Sequence, residues 1–199
     1  MTNYPDTRPS LIVQVKNTAD QAAWEEFVRL YQPVIYRTAI QRGLQDADAH
    51  DLTQQVLVSV AGAVARWKPD GPNARFRHWL RRITRNAIVN AVTRARRDQA
   101  AGSTSIKELL SETPQRDSRT EELIQLEYRR ELLLQAAKIV REVVDEPTWK
   151  AFELTAVKGV NKTEAAKQLG KSIGAIYAAR SRVLKRIRNA AAELEESQR

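Results

Sequence analysis

The chain has 199 residues, with 33 Lys and Arg against 24 Asp and Glu, no cysteine and two histidines. These counts exclude a disulfide framework, a thiolate metal site and a centre built from several histidines. No apolar run is long enough to cross a bilayer, so membrane insertion is not expected. The net charge of +9 is unevenly spread: residues 1–97 carry +7, residues 98–127 carry −4 and residues 128–199 carry +6. Two basic blocks around an acidic connector point to a polyanionic partner. Residues Met1 to Ser10 are polar and lack the apolar core of a signal peptide, which makes the cytoplasm the expected compartment.

Gly and Pro are absent from Ser10 to Gln32, from Asn73 to Ala101, from Gln115 to Glu146 and after Gly174. Apolar residues recur in these stretches at spacings of three and four, the helical period. Trp24, Phe27, Val28 and Tyr31 make one stripe; Leu52, Val56 and Val60, with Leu57, make a second. Trp79, Leu80, Ile83 and Ala87 make a third, and Trp149, Phe152 and Ala156 a fourth. No segment alternates as a strand would. The predicted fold is all-α: two small helical domains joined by a polar linker, the second a helix–turn–helix. The boundaries read as an N-terminal extension over 1–20, a helical domain over 21–97, an acidic and polar linker over 98–127, a second domain over 128–190 and a tail over 191–199. Within the linker, Leu109 and Leu110 could form a short docked turn.

The first domain holds a cationic element. From Gly71 to Arg97 there are eight arginines and no acidic residue. Wound as a helix from Phe76, this segment turns Phe76, Leu80, Ile83 and Ala87 inward and sets Arg77, Arg81 and Arg85 four residues apart on another face. Guanidinium is permanently charged and can bind phosphate bidentately. Asn86 and Asn90 add groups that can bond bases or phosphates. Upstream, Trp67 and Lys68 open a Pro- and Gly-containing loop that runs to Asn73. Aromatic rings beside cations are the materials of single-strand binding, although tryptophans at this spacing also serve cores.

Near the C-terminus, Asn161 is placed to cap a helix, with Glu164 three residues on as the second half of a capping box. Gly170 then stands where a left-handed residue is needed, and Ser172 caps a second helix. Ile176, Ala179, Val183 and Ile187 face inward. Outside lie Ala175, Tyr177, Ala178, Ser181, Arg182 and Lys185, with Arg186 and Arg188 beyond. Small residues near the start and cations later fit a helix that enters the major groove and holds phosphates.

These segments, in this order, resemble bacterial sigma factors of the extracytoplasmic-function (ECF) type. Asp48-Ala49-His50-Asp51-Leu52-Thr53-Gln54-Gln55-Val56-Leu57 is similar to the family's acidic helix. Phe76-Arg77-His78-Trp79-Leu80-Arg81-Arg82-Ile83-Thr84-Arg85-Asn86 is similar to its promoter-melting helix, and residues 161–187 to its helix–turn–helix. The resemblance implies a non-enzymatic promoter-specificity subunit without catalytic residue, metal or cofactor. It implies contact with core RNA polymerase through Asp48, Asp51, Leu52, Gln54 and Gln55. Trp67, Lys68, Asn73, Arg75, Arg77, Arg81, Arg85, Asn86, Asn90 and Arg94 would hold the melted non-template strand of the −10 element. Ser172, Ala175, Tyr177, Ala178, Ser181, Arg182, Lys185 and Arg186 would read the −35 duplex. An anti-sigma protein is a further candidate partner. Gln55 and His50 depart from the family's usual acidic residues, Lys171 from its apolar turn residue and Arg180 from an apolar position.

Two other readings stay open on sequence. A helix–turn–helix regulator not bound to core polymerase accounts for 161–188 but not for the arginine helix. A nucleic-acid enzyme would need clustered carboxylates, and Asp46, Asp48, Asp51 and His50 are the one candidate group.

Overall fold

A computed structural model describes residues 11–17, 19–68, 76–100 and 118–196. Every regular element among them is helical, as the sequence period requires. The chain divides into two units, the first ending at Glu131 and the second running from Leu132 to Glu196.

In the first unit, α1 (Leu11–Lys16) packs on α2 (Gln21–Gln41), α2 on α3 (Asp46–Val64), and both α2 and α3 on α4 (Phe76–Ala100). Asp20 caps α2 by accepting from the Ala23 amide at 3.0 Å. The helix then runs through Pro33 instead of stopping before it, so its Gly- and Pro-free stretch understates its length. Its buried residues include Phe27, Leu30, Tyr31, Val34 and Ile35, while Trp24 and Val28 lie at the margin. Leu52, Val56, Leu57 and Val60 are buried on α3 as expected. On α4 the buried line is Phe76, Leu80, Thr84, Ile88 and Val92. Ile83 and Ala87, assigned inward from the sequence, are only half-buried. The core follows an unbroken spacing of four, and the threonine that continues it gave no apolar signal.

Residues 11–16 and 118–127 differ from their expected roles. Leu11 and Val15, within the expected N-terminal extension, are buried. The expected linker over 98–127 includes the end of α4 and the start of α5 (Ser118–Val143). The Leu109–Leu110 turn falls outside the described residues. Residues 118–131 of α5 count with the first unit and 132–143 with the second.

The second unit combines the rest of α5 with α6 (Glu146–Phe152), α7 (Lys162–Leu169) and α8 (Ile173–Glu196). Ala136, Val140, Phe152, Val183 and Ile187 form one core cluster. Ala151, Ala165, Ala166, Ile176 and Ala179 form another. Alanines at these positions let α7 and α8 approach closely. After α6 the chain continues as a π-helical turn, Glu153–Val157. The wider turn shifts the register, so Thr155 is buried and Ala156, expected inward, is exposed. The predicted inner stripe of α8, Ile176, Ala179, Val183 and Ile187, is buried residue for residue.

Candidate nucleic-acid interface

The outer face of α3 carries the first group. Asp46 and Asp48 sit in its first turn, where the positive end of the helix dipole favours carboxylates. Asp48, Asp51, Gln54 and Gln55 are exposed. Leu52 is the exception at 6% exposure: it belongs to the core and only its edge reaches the cleft beside it. Asp48, Asp51 and Gln55 line a shallow cleft of about 280 Å³ with Leu44, which precedes α3, and with Ala91 and Arg94 of α4. Arg94 thus joins the α3 group. Tyr36 donates a hydrogen bond to Asp46, and that bond, with burial and the carboxylate charge, raises the phenol pKa. The His50 ring lies 4.5 Å from that of Tyr36, and its Nε2 is 4.0 Å from Asp46 Oδ1. Among the described residues no three His, Asp or Glu side chains gather as a metal ion would need.

The second group lies on and before α4. Trp67 meets Phe76 edge-on at 5.3 Å and Trp79 at 6.3 Å, and Lys16 of α1 stands 4.9 Å above its ring. Both tryptophans are half-buried, so Trp79 is less of a core residue than its position in the stripe implies. Lys68, Asn86, Asn90 and Arg94 are exposed. Asn73 and Arg75 lie outside the described residues, and the Arg77 side chain is likewise not described. Arg81 and Arg85 flank the buried line, with side chains 21% and 28% exposed. Arg81 Nη1 lies 3.3 Å from Glu121 Oε1 and Arg85 Nη1 lies 3.5 Å from Glu121 Oε2. Sequence reasoning missed Glu121 because it lay in the supposed connector.

The third group is the outer face of α7 and α8. The Asn161 side chain accepts from the Thr163 amide at 2.9 Å. Glu164, the expected second half of the capping box, instead accepts from Gln168 one turn on, at 3.2 Å. Gly170 ends α7 at φ +61°, the left-handed conformation that disfavours a Cβ. Ser172 Oγ accepts from the Ala175 amide at 3.1 Å. Ser172, Tyr177, Ala178, Ser181, Arg182 and Lys185 are exposed, and Ala175 partly so. Arg186 turns to the flank, its Nη1 3.5 Å from the Val143 carbonyl oxygen. An open groove of about 470 Å³ along α8 adds Arg180 and Arg188 to Tyr177, Ser181 and Lys185. Lys162 also joins: it donates to the Tyr177 hydroxyl and lies 3.7 Å above its ring. The hydrogen bond and the ammonium charge lower the Tyr177 pKa.

The arrangement is that of an all-helical protein with two cationic helices and a separate acidic face. Residues 27–98 match the family described as Sigma-70 region 2. The ECF RNA polymerase sigma factor SigE of Mycolicibacterium smegmatis is 34% identical over 93 residues, which are 45% of this chain and 35% of that protein. The chain therefore resembles ECF-type sigma factors, and the match spans about a third of the length of that curated relative. The solved structure of CnrH in complex with the cytosolic domain of CnrY is 22% identical, covers 90% of this chain and 93% of that one, and superposes with a TM-score of 0.36.

Proposed function

We propose that the protein is a promoter-specificity subunit of RNA polymerase, acting in the cytoplasm without catalytic chemistry or cofactor of its own. The observation that carries this reading is the match of residues 27–98 to Sigma-70 region 2, a stretch that contains both the acidic face of α3 and the arginines of α4. Asp48, Asp51, Gln54 and Gln55 would dock on core polymerase. Trp67, Lys68, Arg81, Arg85, Asn86 and Asn90 would hold the opened −10 strand, with Arg94 at the border of the two surfaces. An unpaired base stacked on an aromatic ring offsets part of the cost of unpairing it. In the second unit, Ser172, Ala175, Tyr177, Ala178, Ser181, Arg182 and Lys185 would face the −35 duplex. Two weak readers joined in one chain gain from effective concentration. An anti-sigma protein would be a regulator acting from outside.

Transcription of a genomic fragment library by purified core polymerase tests the reading. Adding the chain should raise initiation at a defined subset of fragments sharing two spaced elements. No added initiation overturns it, and failure to retain core polymerase in a pull-down would return the chain to an ordinary helix–turn–helix regulator.

A further inference from the structure

The acidic segment that separates the two basic blocks in sequence is bound to the first of them. Glu127 is 2% exposed. Its carboxylate accepts from Arg37 Nε at 2.6 Å and from Gln41 Nε2 at 2.6 Å, while Arg37 Nη2 reaches Glu131 Oε2 at 2.8 Å. Tyr128 stacks on Tyr31 with ring centroids 5.9 Å apart. A buried carboxylate with two short charge-assisted bonds is a firm anchor. Arg37 is held charged for the same reason: burial opposes its charge, and the two carboxylates outweigh burial.

The anchor fixes where Glu121 falls, nearly two turns earlier on the same helix. Its two oxygens lie 3.3 Å from Arg81 and 3.5 Å from Arg85. One carboxylate thus bridges two guanidiniums in the row proposed to hold phosphates. Unlike Glu127, Glu121 has a side chain 37% exposed, and pairs this wet exchange readily. We infer that Glu121 is an internal competitor for Arg81 and Arg85, occupying them as a nucleic-acid phosphate would and yielding them when single-stranded DNA binds. The inference rests on the proposed −10 role of those arginines and adds to it a gate within the chain.

Fluorescence anisotropy of the full chain with a labelled single-stranded oligodeoxynucleotide of mixed sequence tests it. Glu121→Gln should tighten binding by about three- to tenfold at low salt, and the gain should fade at high salt as screening removes the competition. Glu122→Gln removes the same charge one residue along and should gain less than about twofold. In a chain that also carries Arg81→Ala and Arg85→Ala, the Glu121→Gln gain should vanish. No gain, an equal gain from Glu122→Gln, or a gain that survives loss of both arginines overturns the gate. If the two arginine substitutions weaken binding but Glu121→Gln does nothing, the gate falls and the DNA-binding reading stands. If binding is indifferent to both arginines, that reading falls with it.

Discussion

The protein carries two basic helices written in much the same way, α4 and α8. Each sets an apolar line against a core and places arginines beside it. Their charges nevertheless end in different states. On α4, Arg81 and Arg85 share one carboxylate from α5. On α8, Arg182 bonds back to the Ala178 carbonyl at 3.4 Å, and among the described residues no carboxylate pairs with Arg182 or Lys185. The local sequence accounts for part of this, since no acidic residue lies between Glu164 and Glu193. The rest is a matter of neighbours: α4 lies where an acidic helix can reach it. A basic helix is an open phosphate site only if nothing anionic is held beside it.

The largest effect is expected where α4 is anchored to its core. Phe76 anchors α4 at 2% exposure, with rings of Phe27, Trp67 and Trp79 around it. Phe76→Ala should cost about 3–5 kcal/mol. Hydrogen exchange should show weakened protection in α2–α4 while α7 and α8 keep theirs. Arg37→Ala comes next, because it removes the guanidinium shared by Glu127 and Glu131 and leaves Glu127 with Gln41 and the longer contact to Arg130 at 3.7 Å. Losing this shared partner should cost roughly 1–3 kcal/mol, less than a full orphaning because Arg37 is partly exposed and Glu127 keeps other donors. The loss should show as faster exchange across 118–131.

Smaller changes sharpen the other side. Gly170→Ala meets no atom within 4 Å of the added Cβ, so its cost is conformational alone, about 1–2 kcal/mol for a left-handed residue. A denaturant midpoint shift at unchanged slope would confirm it. Arg182→Ala and Lys185→Ala should each weaken duplex binding uniformly across sequences. Each should also flatten the salt dependence, by about 0.9 in log–log slope for every phosphate no longer neutralised. Unchanged slopes would remove these residues from the interface.

The smallest effect is acid-dependent. Asp145 caps α6 by accepting from the Thr148 amide at 2.9 Å, and that bond lowers its pKa. A depressed folded-state pKa means the stabilisation is complete above the unfolded-state value and disappears as pH falls through the folded one. Melting temperature should therefore drop from about pH 4 downward, and Asp145→Asn, which keeps the cap without the titration, should flatten that drop.

The Sigma-70 region 2 match falls on segments whose motifs were legible in sequence: the acidic start of α3 and the Phe76–Asn86 run. Legibility failed in specific places. Thr84 continues the α4 core without an apolar side chain, and the π-helical turn moved burial from Ala156 to Thr155. Leu52 was legible as core from the helical period, and only its grouping by motif set it among exposed neighbours. Glu121, Glu127 and Glu131 read as charges in or beside a solvated connector.

By itself the sequence determined the helical class, the inward line of α8, the Asn161 and Ser172 caps, the left-handed Gly170 and the location of both cationic helices. These depend on period, backbone conformation and charge within a few residues. Tertiary structure alone decided which charges stay open. Glu127 is 86 residues from Gln41 and 90 from Arg37, and Glu121 is 40 from Arg81. Pairings at that range depend on which helix faces reach each other, and no local pattern encodes them.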